Sequence, residues 1–356
     1  MTMKKPSRAF LGLAVFSTCS MAAAAAGVLV SPLSSFGGGD GWLAPGEGGY
    51  SFLGTGNLER GLAFGNNQLY LVSRNGGVNV RRLSPITGSD LGGLNVAGVS
   101  GGTFAANMVA VAQDGAVYVG NLSTAAGSNF KLYRWANDTA APTVAYDAAP
   151  GLPRLGDSFA AIGSGTLTRL AASGSGTSGF LVVDPATGTG TAVSASGTAA
   201  GDFRLGLTWV DEDTVIGAQG GTSPFRVVDI SGATGTLVGS PTPTATSERP
   251  LSFTEIAGIP LIASIDTVSA AVRIYDASDL TSLSLLATVN NTSGALAANG
   301  NGVGAVAWGP TFGDSAFLYA MSANQGIQAF VVTIPEPGTV GLLMVGGAML
   351  LGLRRR

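Results

Sequence analysis

The chain lacks the side chains on which much enzyme chemistry depends. It has no histidine, and its single cysteine, Cys19, lies in an apolar stretch near the N-terminus. Disulfide bonds, thiolate nucleophiles, histidine acid–base catalysis and ordinary His/Cys zinc sites are therefore excluded from the body of the chain. The fold must be stable through its hydrophobic core alone.

Charge is also scarce, and it is mostly negative. Charged residues make up 11% of the 356 residues, whereas apolar residues make up 46%, too many for a disordered chain. Six of the 18 basic residues lie at the two ends, which leaves 12 basic against 21 acidic residues in the body, or about −9. Lys131 is the only lysine of that body. Without a basic patch, we do not expect nucleic-acid binding.

Helical periodicity is the third absence. Patterns of period 2 and turn signals recur through residues 50–333, and no convincing amphipathic helix interrupts them. The 55 glycines suit short strands joined by tight turns, because glycine accepts the positive φ angles that such turns need. The sequence predicts an all-β fold.

The first 26 residues have the layout of a secretory signal peptide. Basic residues occupy positions 4, 5 and 8, an apolar run covers 9–16, and small residues at 22–26 offer cleavage sites. Two alternatives stay open: a lipoprotein attached through Cys19 and a buried N-terminal helix. The signal peptide therefore predicts export across the inner membrane.

The last residues, 334–356, have the layout of a second targeting signal. An extended segment opens the tail, an apolar run follows at 339–353, and a basic cluster ends it: Pro335, Glu336, Pro337 and Gly338, then Arg354, Arg355 and Arg356. The prolines prevent helix, and the apolar run would rise only ~23 Å as a helix, short against a ~30 Å hydrocarbon core. The arginines would stay on the cytoplasmic side of the membrane.

This arrangement resembles the PEP-CTERM sorting tail of Gram-negative bacteria. The resemblance covers about the last 23 residues and implies transient insertion in the inner membrane, followed by processing by an exosortase-type protease. It also implies release or attachment at the cell surface, often alongside exopolysaccharide and biofilm production. A plain C-terminal membrane anchor is the alternative.

The middle of the chain repeats. Apolar inner-strand candidates begin at intervals of about 50 residues, near Gly61, Asn107, Phe159, Leu205, Ser252 and Gly304. Four strands in such an interval is the size of a β-propeller blade. We therefore predict a single β-propeller over residues 50–333 with six four-stranded blades, after a linker at 27–49. Tyr50–Leu53 would supply the strand that closes the last blade, and two β-sandwiches are the alternative architecture.

In a propeller, the loops before the inner strands gather at one mouth of the central channel. Besides Asn301, those loops hold the candidate binding residues Glu59, Arg60, Asp157, Asp202, Arg204, Glu248 and Arg249. Such mixed charges would bind sugar hydroxyls or a divalent cation through oxygen ligands. The alternative is a set of solvated loop charges without a ligand.

Other conspicuous residues have structural interpretations. Aspartates follow several strands and are predicted to form turns, with calcium ligation as the alternative: Asp184, Asp229 and Asp276. The acidic run 211–213 predicts a hairpin turn, and three tryptophans predict core packing: Trp135, Trp209 and Trp308.

The sequence favours a non-enzymatic surface or matrix protein that binds polysaccharide or protein in a biofilm. A propeller hydrolase, either a lactonase or a glycosidase using Asp and Glu, is the first alternative, since a glycosidase needs only two carboxylates. A calcium-stabilised structural module is the second. No catalytic residue and no metal ligand can be nominated, and no cofactor is expected, with calcium the one ion left open.

Overall fold

The structure is a computed structural model that describes residues 27–335. Within that range it has 25 β-strands, and its only helical turns are three short 3₁₀ segments at Gly37–Gly39, Glu47–Gly49 and Gly165–Leu167. The all-β prediction is confirmed. The predicted signal peptide lies outside the described residues, as do Glu336, Pro337, Gly338 and the terminal arginines.

The chain runs through successive antiparallel meanders, each starting with an inner strand. Two short strands come first: β1 (Leu29–Pro32) and β2 (Trp42–Leu43). The first two meanders are β3 (Glu59–Gly65), β4 (Gln68–Ser73), β5 (Asn79–Leu83), β6 (Asp90–Gly93), and β7 (Phe104–Val111), β8 (Val117–Leu122), β9 (Phe130–Trp135), β10 (Thr143–Ala148). The next two are β11 (Ser158–Ile162), β12 (Arg169–Ser173), β13 (Phe180–Asp184), β14 (Thr189–Ser196), and β15 (Gly206–Trp209), β16 (Thr214–Ala218), β17 (Arg226–Ser231), β18 (Thr234–Gly239).

Seven strands complete the fold. They are β19 (Glu248–Ile256), β20 (Ile259–Asp266), β21 (Val272–Asp276), β22 (Ser284–Val289), and β23 (Gly304–Phe312), β24 (Ser315–Ser322), β25 (Gly326–Thr333). The inner strands of all the meanders lie side by side around one central cavity of about 360 Å³. This arrangement is propeller-like, and it does not fit the alternative of two sandwiches.

The prediction of six separate blades was wrong. Four sheets are separate, but β11–β18 form one eight-stranded sheet in which the outer strands β14 and β18 pair in parallel. Ser194 pairs with Thr234 and Ser196 with Thr236. Hydrogen bonding between these two outer edges satisfies backbone groups that separate blades would leave exposed. Small residues at Ala195 and Gly235 leave room for the two edges to approach.

The last sheet is closed by the N-terminal segment, though not by the residues that we predicted. β1 pairs with β25, Leu29 opposite Thr333, and β2 pairs with the same strand, Trp42 opposite Gln328. Tyr50–Leu53 instead lies in turns beside the sheet, where Tyr50 stacks on Phe52 at 5.0 Å. The closing strands thus come from the predicted linker, whose short, proline-containing β1 carries little strand signal.

Glycine permits the inner strands to approach closely. A Cβ on Gly61 would lie 2.6 Å from the backbone nitrogen of Val109 in the neighbouring inner strand, and one on Gly206 would collide with the carbonyl of Arg249. Outside this ring, hydrophobic clusters fill the spaces between adjacent sheets. Trp135 and Trp209 are buried there as predicted, while half-buried Trp308 lines the cavity. Residues 27–335 include no helix long and apolar enough to cross a bilayer.

Candidate functional site

All the inner strands run in the same direction, so the two ends of the channel carry different residues. At the end where these strands start lie seven arginines, and we call it the arginine end: Arg60, Arg74, Arg154, Arg204, Arg226, Arg249 and Arg273. Exposed acidic residues lie at or near the hairpins that follow the inner strands, and we call this opposite end the acidic end: Asp114, Asp211, Glu212, Asp213, Glu255 and Asp314.

Glu248 shows how the carboxylates of the arginine end are used. Its side chain is completely buried at the start of β19. One oxygen, Oε1, accepts a hydrogen bond from the backbone N–H of Ala245 at 2.7 Å and lies 3.2 Å from Arg273 Nη1. The other, Oε2, accepts hydrogen bonds from the Ser264 and Tyr275 hydroxyls. Burial and the Glu248 carboxylate raise the pKa of Tyr275, so the phenol stays a donor. Glu248 is a structural anchor.

The carboxylates of Asp157 and Asp202 are likewise hydrogen-bonded within the fold. Arg154 binds Asp157 through two parallel contacts of 2.5 and 2.7 Å, and Arg204 Nε lies 3.3 Å from the same carboxylate. This bidentate hydrogen bonding raises the pKa of Arg154 despite partial burial. Asp202 accepts a hydrogen bond from Arg226 Nε at 2.7 Å and one from the Ala199 N–H at 2.8 Å.

Glu59 is a further buried carboxylate of this end. It is 1% exposed, and Oε1 accepts a hydrogen bond of 2.6 Å from the backbone N–H of Gly54. Its second oxygen, Oε2, is buried without a hydrogen-bond partner within the described residues. The neighbouring Arg60 turns away and donates from Nη2 to the carbonyl of Asn57 at 2.7 Å. The two adjacent side chains therefore bind different positions of the same loop before β3.

Unlike most of these carboxylates, the guanidinium of Arg249 forms no ion pair within the described part of the chain, and two glycines leave space around it. Its guanidinium extends between Gly220 and Gly302, where a Cβ at either glycine would collide with it. Across the described residues it forms no ion pair, and its Nε is buried without an acceptor. Burial lowers the pKa of Arg249, with Arg204 adding a smaller effect in the same direction and Asp266 opposing it. A cation in this position favours an anionic ligand.

Arg60 and Arg74 form a second group of this kind. Arg74 donates to Asn107 Oδ1, and Asn107 donates in turn to the carbonyl of Gly156. The Nε atoms of both arginines are buried and have no acceptor in the described part of the chain. Burial, and then the charge of Arg60, lower the pKa of Arg74 to about 9, which leaves it protonated at pH 7.

The structure therefore brings the seven predicted site residues to one end of the channel, but it does not make them one cluster. Only Asp157 and Arg204 contact each other directly among them. Sequence reasoning missed Arg74, Arg154 and Phe104. The sequence could have revealed Arg154, because it precedes Asp157 by only three residues. Arg74 follows β4 and reaches this end only through the sheet topology.

Neither the central cavity nor the carboxylates assemble a recognisable catalytic or metal site. Within the described residues, the cavity is lined by apolar side chains with Gln113, Ser158, Thr208 and Ser252, and by no charged group. No group of three or more Asp, Glu, His or Cys side chains is placed to hold a metal ion between residues 27 and 335.

Most of the acidic residues that were predicted to form turns do so. Asp184 accepts hydrogen bonds from the backbone of Ala186 and Thr187, and Asp276 accepts one from Ser278 N–H at 2.8 Å, as predicted for turn formers. Asp211 accepts two backbone N–H groups within the predicted hairpin between β15 and β16. Asp229 does not cap its turn, since it pairs with the Thr214 hydroxyl across the strands.

Comparison with known proteins gives a partial match to a family and a similarity of fold. Residues 47–202 match the family described as a domain of unknown function (DUF4623). A crystal structure of a DUF4623 family protein from Bacteroides eggerthii is similar, with a TM-score of 0.64, 16% identity, and coverage of 79% of this chain and 72% of that one. The match to the family covers under half of this chain.

Two further solved structures are similar at low identity. One is a protein of unknown function from Bacteroides thetaiotaomicron, with a TM-score of 0.55, 17% identity and coverage of 86% and 76% of the two chains. The other is provisionally described as a gluconolactonase, with a TM-score of 0.51, 10% identity and coverage of 86% and 92%. A search of curated proteins gave no significant match. At these identities, the similarities establish the fold alone.

Proposed function

We propose that this protein is an exported, non-enzymatic protein of the cell surface or extracellular matrix that binds anionic polysaccharide at its arginine end. The observation that carries the proposal is the imbalance between cations and carboxylates there. The buried carboxylates are hydrogen-bonded within the fold, while Arg60, Arg74 and Arg249 have no carboxylate partner in the described residues. An anionic polymer would supply the missing counter-charge.

The distribution of charge supports a binding role over a catalytic one. The acidic end would repel a polyanion, so such a ligand would be directed to the arginine end. The central cavity offers it no general acid or base, because the cavity lining within the described residues is uncharged. Binding that depends on exposed or half-buried cations should weaken as salt is added.

Export and sorting belong to the same proposal. Leu29 lies opposite Thr333, so both ends of the described chain leave from the acidic end. If the predicted tail inserts in the inner membrane and is cleaved by an exosortase-type protease, the arginine end points away from the attachment site. Mass spectrometry of the mature protein tests this part: loss of residues 1–26 and of the apolar run 339–353 supports it, and a cytoplasmic protein with both ends intact contradicts it.

Binding is tested with purified protein and three polymers: polygalacturonate, neutral dextran and dextran sulfate. We expect salt-sensitive binding to one or both anionic polymers and none to dextran. The double variant R204Q/R249Q should weaken binding at least about tenfold, since each charged hydrogen bond contributes about 1.5–3 kcal/mol. Arg169→Gln, at the acidic end, is the matched control. Equal binding to dextran, or no binding to any polymer, would contradict the proposal.

A propeller hydrolase is the second candidate, because the fold is shared with the protein provisionally described as a gluconolactonase. Turnover of lactone or glycoside substrates that is abolished by Asp157→Asn or Asp202→Asn, with folding retained, would favour it. A calcium-stabilised module is the third. A rise in melting temperature with added calcium, lost in Asp184→Ala, would favour that role.

A further inference from the structure

We propose that a pocket between the first two sheets, at the arginine end, binds a sugar residue that bears a carboxylate. The pocket has a volume of about 470 Å³, within the ~300–1,000 Å³ range of small-ligand sites. The residues used in the argument are Arg60, Arg74 and Phe104, which line it together with small residues of the surrounding loops. This inference rests on the proposed function and names the site and the chemical class of its ligand.

Two guanidinium groups supply the charge of this pocket. Arg60 is 8% exposed, and only its Nη2 is bound, by the carbonyl of Asn57. The nearby carboxylates Asp157 and Glu59 favour the charged form of Arg60. Neither forms an ion pair with it, because Glu59 accepts the N–H of Gly54 and Asp157 is bound by two other arginines. Arg74 likewise forms no ion pair within the described residues. Two partly desolvated cations without a direct ion-pair partner in the described residues form an incomplete site.

The loops hold Arg60 in place before any ligand arrives. Asn57 has a left-handed backbone (φ 56°), which directs its carbonyl at Arg60. Its N–H and side-chain oxygen form reciprocal hydrogen bonds of 2.6 and 2.9 Å with the side chain of Asn324, which is 2% exposed. This contact ties the first inner strand to the β24–β25 turn, so the cation is fixed by two separate parts of the chain.

Phe104 adds an apolar surface beside the charge. The Arg74 guanidinium stacks 3.4 Å from the centre of the Phe104 ring, and yet 40% of Phe104 stays exposed. An aromatic ring left open beside stacked arginine suits a pyranose, whose C–H face packs on the ring while a substituent reaches the cations. Guanidinium matches the planar geometry of a carboxylate, and the combination therefore points to a uronic acid residue.

The test is calorimetric titration of the full-length mature protein with a galacturonate oligosaccharide, a neutral galactose oligosaccharide of equal length and a sulfated one. Phe104→Ala and Arg74→Gln are each expected to weaken galacturonate binding at least about tenfold. Arg169→Gln is the matched control, because Arg169 also stacks on an aromatic ring, 5.0 Å from that of Trp209, but near the acidic end. Unfolding curves establish that each variant is folded.

The outcomes separate this inference from the proposed function. Selective galacturonate binding that is lost in both pocket variants supports the inference. Equal binding of the sulfated or the neutral oligosaccharide overturns the assignment to carboxylate. Binding that survives Phe104→Ala and Arg74→Gln but is lost in R204Q/R249Q overturns the pocket and keeps the function. Absence of binding to every anionic ligand overturns both.

Discussion

The arginine end and the acidic end of the channel use the same types of charged residue in opposite ways. At the arginine end, Glu248 and Asp157 are buried and bonded to several donors, and the cations exceed the carboxylates. At the acidic end, Glu255 and Asp211 are exposed, and Asp211 accepts hydrogen bonds only from backbone N–H groups of its own turn. Carboxylates thus serve stability at one end and solubility at the other, and the arginine end holds buried cations that lack an ion-pair partner within the described residues.

The largest expected effect is at Glu248. Glu248→Ala removes the acceptor of Ser264, Tyr275 and Ala245 and leaves the partly buried Arg273 with only the more distant Asp266, at 3.8 Å, as an ion-pair partner. We expect the free energy of unfolding to fall by about 3–5 kcal/mol, measured by urea denaturation. The matched control is Glu255→Ala at the acidic end, for which a change within about 0.5 kcal/mol is expected. Similar losses for both variants would mean that the two ends do not differ.

An intermediate effect is expected for Asp157→Asn: the folded state should become less stable, and polygalacturonate should bind more tightly. Asp157→Asn weakens the contacts with Arg154 and Arg204, which should reduce the free energy of unfolding by about 2 kcal/mol. The arginine end gains positive charge, so polygalacturonate should bind more tightly in the folded variant, as measured by titration at low salt. Asp114→Asn, on an exposed loop of the acidic end, is the control. Weaker binding in folded Asp157→Asn would show that this carboxylate contacts the ligand.

The smallest effect is expected at Asp184 and depends on pH. Burial alone would raise the pKa of Asp184, but hydrogen bonds from Thr187 and from the backbone of Ala186 and Thr187 lower it overall. A carboxyl with a lowered pKa stabilises the folded state above its unfolded pKa of ~3.9, and that contribution is lost as the pH falls through the folded-state value. Asp184→Asn should therefore cost about 0.5 kcal/mol at pH 7 and almost nothing in strong acid.

Thermal unfolding between pH 2 and pH 7 checks this expectation. Glu212→Gln, in the exposed hairpin after β15, serves as the control for the loss of a surface carboxylate. A constant difference between Asp184→Asn and the parent protein at every pH would show that the charge of Asp184 is not what stabilises its turn.

Spacing in the sequence predicted the inner strands well and the edges of the sheets poorly. The predicted starts near Gly61, Leu205 and Gly304 lie within one or two residues of the starts of β3, β15 and β23. Each of these segments is buried by its neighbours, so its apolar pattern is strong. β1 has one buried neighbour and four residues, so its pattern is weak. The pairing of β14 with β18 depends on polar backbone edges and leaves no apolar signature.

The candidate pocket was predictable only in part. Arg60 could be placed at the mouth because it begins an inner strand, and the same reasoning placed Arg249 there. Arg74 and Phe104 belong to different sheets, 30 residues apart, and their stacking needs both sheets in place. A sequence also does not tell whether a carboxylate is bonded internally, and that distinction separates Glu248 from a ligand-binding group.

The sequence by itself determined the chemistry that this protein can use and the repeat that builds it. The absence of histidine and the scarcity of lysine leave arginine as the main cation, and the spacing of apolar segments specifies successive antiparallel meanders. Tertiary structure alone decided which charges stay unmatched. Whether an arginine meets a carboxylate depends on side chains that converge from strands far apart in the chain, and burial then makes each missing partner costly.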